Sequence, residues 1–107
     1  MIREILTAAG VEHAQARFIR VPAGTYAVYF DDIEVTTADC APVGAPRIHT
    51  HSVTVEVYEP APDDTTETAI EAELDARALA WTKQDRFWLK DLQRYQTVYE
   101  TTYTTKT

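Results

Sequence analysis

Residues 81–103 read WTKQDRFWLKDLQRYQTVYETTY, and the alternation within this stretch decides the fold. Two runs rich in aromatic and β-branched residues are separated by a polar break at Lys90 and Asp91, which is the pattern of a β-hairpin. In the second run Tyr95, Thr97, Tyr99, Thr101 and Tyr103 recur every second residue, so their side chains share one face of a strand. Arg94, Gln96, Val98 and Glu100 then share the other.

Working outward, the segment before the hairpin has helical spacing. Ile70, Leu74, Ala78 and Trp81 form an i, i+4, i+8, i+11 stripe flanked by Ala69, Ala72 and Ala76, with a helix end expected near Ala78. Glu67, Glu71 and Asp75 form an acidic row expected on the opposite, solvated side. Asp64 and Glu67 have the spacing of a capping box, and the acidic first turn suits the positive end of the helix. Pro60 and Pro62 separate this helix from an extended run at 47–58. There His49, His51, Val53, Val55 and Val57 share one face, while Ile48, Thr50, Ser52, Thr54 and Glu56 share the other.

Further upstream, 25–30 and 33–37 read as two short strands divided by a turn or bulge at Asp31 and Asp32. Residues 38–46 hold Asp39, Cys40, Pro42, Val43, Gly44 and Pro46, and read as an exposed loop. Residues 11–24 have no clean period. At the start of the chain Ile2, Ile5, Leu6 and Ala9 mark a two-turn amphipathic helix, with Gly10 suited to the left-handed position that ends it. The order α-β-β-β-α-β-β with short connections predicts one α+β domain over residues 1–107. A mainly antiparallel sheet of four to five strands is expected, with two helices packed on one face.

The chain has 107 residues and a formal charge of −7, from 17 acidic and 10 basic residues. That balance, without any Lys or Arg cluster, argues against a surface that grips nucleic-acid phosphates. A single cysteine excludes an intrachain disulfide. Arg3 and Glu4 interrupt the first apolar run, so no leader peptide is expected. No apolar stretch approaches the ~20 residues of a membrane span.

Two constellations invite a chemical reading. His49 and His51, two apart on a strand, hold their imidazoles about 7 Å apart on one side, near enough to share a metal. A zinc site needs further ligands, for which His13, Asp39 and Cys40 are the candidates, and no spacing requires them to converge. Because both histidines share their face with three valines, a structural role is the favoured reading. Cys40 near His49 has the ingredients of a nucleophile and its base, but Asp39 beside it disfavours the thiolate. With three glycines in the chain there is no phosphate loop or nucleophile elbow, so no catalytic residue and no cofactor is assigned.

Three segments in order, TYAVYFDDIEV (25–35), THSVTVEVYEP (50–60) and IEAELDARALAWTKQDRFWLKDLQRYQTVYETTY (70–103), resemble the small tail-completion proteins of siphophages and prophages of Gram-positive bacteria. That group includes the tail terminators, also called minor capsid or head–tail joining proteins. The resemblance implies a non-enzymatic virion protein assembled in the bacterial cytoplasm. It forms a ring, usually a hexamer, at the head–tail junction, bound to the tail-tube protein and the head connector, while DNA passes through without specific binding. By the same likeness, the loop with Asp39, Cys40, Pro42 and Val43 faces the channel or a neighbouring ring, and the sheet faces adjacent subunits. If the tyrosine face packs on the helices, Arg94, Gln96, Val98 and Glu100 look toward a neighbour; the reverse assignment stays open. The chain departs from the family pattern at Ala80, where a glycine is common. Two other readings stand beside this one: a head-side stopper of the same junction, and a small metal-binding protein using His49 and His51.

Overall fold

The computed structural model describes residues 1–18, 20–36, 44–45, 47–62 and 64–106. Two helices, α1 (Ile2–Ala9) and α2 (Asp64–Ala76), pack on one face of a six-stranded sheet formed by β1 (Glu12–Gln15), β2 (Tyr26–Thr36), β3 (Ile48–Glu59), β4 (Trp81–Lys83), β5 (Phe87–Leu89) and β6 (Arg94–Lys106). The sheet runs β1-β2-β3-β6-β4, with β5 beside β6, and every pairing is antiparallel except β1 with β2. The α+β class and helices packed against a mainly antiparallel sheet are as expected. The sheet has six strands rather than four or five.

Two short expected strands merge into β2, the first limb of the hairpin divides into β4 and β5, and β1, whose sequence EHAQ carries no apolar run, matches no expected strand. It is held by backbone pairing to Tyr26–Tyr29 of β2, and the Ala16 amide adds a 2.9 Å bond to the Tyr29 carbonyl. Such a strand leaves no periodic signal, because its pairing is made by groups every residue has. Asp31 and Asp32 are also not a turn. They sit inside β2, opposite Val53 and Ser52, so the two expected short strands are one strand of 11 residues. Asp31 is accommodated there because the His51 ring of β3 donates to its carboxylate, while Asp32 is exposed on the other face.

The closing hairpin is present, with Leu89 opposite Arg94 across the turn. Its first limb is broken. Lys83 pairs with Tyr99 but Phe87 pairs with Gln96, so four steps on one strand answer three on the other. That extra residue is a β-bulge, and it turns Phe87 to the face without helices. On β6 the buried residues are Thr97, Tyr99 and Thr101, which settles the orientation: the tyrosine-threonine face lies under the helices.

Both helices end in the same backbone arrangement. After α1, Gly10 (φ 76°) donates to Thr7 and Val11 donates to Leu6. After α2, Ala78 (φ 55°) donates to Asp75 and Leu79 to Leu74. These are Schellman caps. Glycine takes the left-handed position without cost in the first, and an alanine is forced into it in the second. The core joins Ile2, Ile5 and Leu6 of α1 and Ile70 and Leu74 of α2 to Ala27, Tyr29, Val53, Val55, Val57 and Tyr99 of the sheet.

Length then shapes the molecule. Helices of 8 and 13 residues span about 12 and 20 Å, whereas a 13-residue strand spans about 43 Å. The helices cover one end of the sheet. Beyond them β2, β3 and β6 continue as a three-stranded arm, giving a body 53 × 28 × 22 Å in extent.

Candidate functional site

The acidic row of α2 is solvated only in part: Asp75 is exposed and Glu71 half-buried, but Glu67 is not at the surface. Glu67 lies three and seven positions before Ile70 and Leu74, on their face of the helix, and is 2% exposed. Its carboxylate accepts from Lys83 Nζ at 3.0 Å and from Arg86 Nη2. Glu71 accepts from Lys83 at 2.9 Å and from the Tyr99 hydroxyl at 2.7 Å, and Asp75 accepts from the Trp81 indole at 2.8 Å. Asp64, largely exposed, also reaches Arg86, at 3.1 Å, and the Glu67 carboxylate goes to Lys83 and Arg86 rather than back to the helix start as a capping box requires. Burial opposes ionisation of Glu67, yet the bonds from Arg86 and Lys83 outweigh it and hold its carboxyl below the usual range. Burial followed by the bond to Glu71 pushes the Tyr99 hydroxyl far above its ordinary value. This network clamps α2 to β4 and the bulge. Glu67 is its buried centre, while Lys83, Glu71 and Arg86 are partly exposed and Asp64 lies at the surface, an arrangement that holds a helix to a sheet.

The arm is different in kind. On the helix side of the sheet it presents Ile33 and Val35 of β2, His49 and His51 of β3, and Tyr103 and Thr105 of β6. The other side presents Phe30, Asp32, Glu34, Ile48, Thr102, Thr104 and Lys106. Phe30, Ile33, Val35 and Ile48 are 38, 54, 47 and 40% exposed. One polar chain ties its three strands. His51 Nδ1–H donates to Asp31 at 3.1 Å, His51 Nε2 lies 3.0 Å from Thr105 Oγ1, and the imidazole stacks on Tyr103 with centroids 4.5 Å apart. Each strand supplies one member of the chain. Burial, then the charge of Asp31, raises the Tyr103 hydroxyl above its ordinary value.

That arrangement bears on the metal reading. Both ring nitrogens of His51 are committed to Asp31 and Thr105, and His13 bonds the Val11 carbonyl at 2.9 Å. Among the described residues no group of three metal-ligating side chains converges. Asp39, Cys40, Pro42 and Val43 lie outside the described residues.

Arg94, Gln96, Val98 and Glu100 do share the face away from the helices. Two of them are engaged within the chain. Arg94 Nη2 donates to the Ala23 carbonyl at 2.8 Å and so pins the turn before β2. Gln96 Nε2 donates to the Tyr58 hydroxyl, which donates to Glu56, each at 3.0 Å. Tyr58 stacks on Tyr26 at 5.0 Å, and Phe18 meets Tyr26 edge-on at 5.5 Å. Burial is the main cause pushing the Tyr58 hydroxyl up to about 12. Residues 16–18 and Val21 fold over this end of the helix-free face and bound a cavity of about 190 Å³ with Tyr26, Tyr58 and Leu92. Sequence reasoning missed this cover because 11–24 has no period. The exposed arm was legible only as alternation, with nothing to say where the helices stop.

Among the described residues no helix is long and apolar enough to cross a membrane. No protein-family model matches the chain, and no curated protein matches it. Among solved structures it is similar to a chain of the virion of a native gene transfer agent particle, with 17% identity over 94% of this chain and 84% of that one, at a TM-score of 0.47.

Proposed function

We propose that this chain is a structural virion protein that forms a ring at the head-proximal end of a siphophage-like tail tube. There it ends tube polymerisation and joins tail to head. The observation that carries the reading is the arm: three long strands projecting past the helices, bearing exposed apolar side chains on both faces. A chain that buries a modest core and leaves such a surface bare is suited to completing its burial in an assembly. The sequence resemblance to tail-completion proteins supplies the particular assembly. The partners proposed are further copies of the chain, the tail-tube protein and the head connector. A charge of −7 fits a conduit that repels phosphate and lets DNA pass. In this reading the chain is not an enzyme, and Arg94, Gln96, Val98, Glu100 and the 38–46 loop make subunit contacts.

The test is deletion of the gene in a host producing the particles. Electron microscopy should show overlong or head-free tails. Tails of normal length joined to heads defeat the proposal, and filled heads that leak DNA beside normal tails move the role to the head-side stopper.

A further inference from the structure

The arm has two open edges at the same level. Among the described residues nothing pairs β2 beyond Tyr29 on the side away from β3, and nothing pairs β6 beyond Thr101 on its outer side. The Tyr29 carbonyl points to the first edge, where it accepts from Ala16, so alternation aims the backbone groups of Asp31, Ile33 and Val35 the same way. The Val98 carbonyl points to the second edge, where it accepts from Gln84, so Thr102, Thr104 and Lys106 follow it. Within one copy Asp32 to Thr36 and Thr102 to Lys106 stand level across β3.

We propose that these edges pair between copies, residues 102–106 of one copy lying parallel beside residues 30–36 of the next, so that the sheet continues around a closed ring. β2 and β6 both run antiparallel to β3 and are therefore parallel to each other. A neighbour in the same orientation thus adds a parallel strand and keeps its helices on the same side of the sheet. The occupant is argued from charge. The β2 strip carries Asp31, Asp32 and Glu34, so two such strips repel. The β6 strip holds no acid and ends in Lys106, on the same face as Glu34 and Asp32. Pairing β6 with β6 is not opposed by charge, but it leaves the β2 edge and its apolar Ile33 and Val35 uncovered. Head-to-tail pairing leaves neither edge of the arm open once the ring closes.

This rests on the reading of the chain as an assembly protein, and its test is separable from that reading. Glu34→Cys and Thr104→Cys, each in a Cys40→Ser background, are mixed across a concentration series and oxidised. Neighbouring strands hold such residues about 4.8 Å apart, within disulfide reach, so the mixed cross-link is expected to exceed either homodimer by about tenfold. A protein carrying both cysteines should give a ladder ending at the closure number. Thr104→Pro, which removes an edge donor and keeps the fold, should abolish assembly. Homodimers equal to or above the mixed product, a chain monomeric throughout, or a Thr104→Pro variant that assembles like the parent each overturn the pairing. Oligomers without the mixed cross-link defeat the inference and leave the assembly reading standing. Normal head-joined tails in the deletion strain, with the cross-link present, do the reverse.

Discussion

At the scale of single residues, the buried carboxylate Glu67 and the buried hydroxyl Tyr99 set how stability responds to pH. The folded pKa of Glu67 is lowered, so its contribution is complete above the unfolded value of about 4.3 and is lost as pH falls through the folded value. Glu67→Gln removes the charge that Lys83 and Arg86 share and is expected to cost about 2 kcal/mol at neutral pH. Urea titrations between pH 5 and 2 should show the variant losing less stability than the parent. Tyr99 has the opposite sign. Its folded pKa is raised, so its contribution is complete below the unfolded value of about 10 and is lost as pH rises beyond that. Tyr99→Phe deletes the bond to Glu71 at a cost of about 1 kcal/mol at pH 7. In alkaline unfolding the variant's curve should flatten, with the slope due to Tyr58 remaining.

At the scale of elements, the two helix ends make an internal comparison. Gly10 and Ala78 hold the same position in the same cap with φ of 76° and 55°. A left-handed alanine costs roughly 1 kcal/mol, and Ala78 is exposed, so its methyl returns little by burial. Ala78→Gly should therefore raise the urea midpoint by the equivalent of about 0.5–1 kcal/mol. An unchanged or lowered midpoint means that the backbone freedom glycine adds to the unfolded chain cancels the relief. Gly10 was legible as a cap because glycine itself is the signal. The end of α2 was legible only to within a residue or two, since nothing local marks Ala78 rather than Ala80 as the residue that turns.

At the scale of the molecule, the arm divides the chain into a covered end and a bare one. Ile33 is 54% exposed and lies outside the buried core, so Ile33→Asp should leave the melting transition within about 0.5 kcal/mol of the parent. If the arm is where copies meet, the same change should lower the mass measured by light scattering at high concentration. A variant that associates like the parent removes the arm's helix-side face from the interface.

The alternation at 95–103, the helical spacing at 2–9 and 70–74, and the glycine after α1 determined which elements form, because periodicity follows from local backbone geometry and survives in the sequence. They also reduced the closing hairpin to two possible orientations. Only the tertiary structure chose between them, by burying Thr97, Tyr99 and Thr101 under the helices. It also placed Glu67 inside: the 67, 70, 74 spacing was there to read, but whether a carboxylate can be buried depends on Arg86, 19 residues away on the other side of a helix end. The joining of two short strands into β2 and the reach of the arm were decided the same way. Each depends on a partner distant in sequence, His51 for Asp31 and the finite length of two helices for the arm, and no local pattern encodes where such partners end.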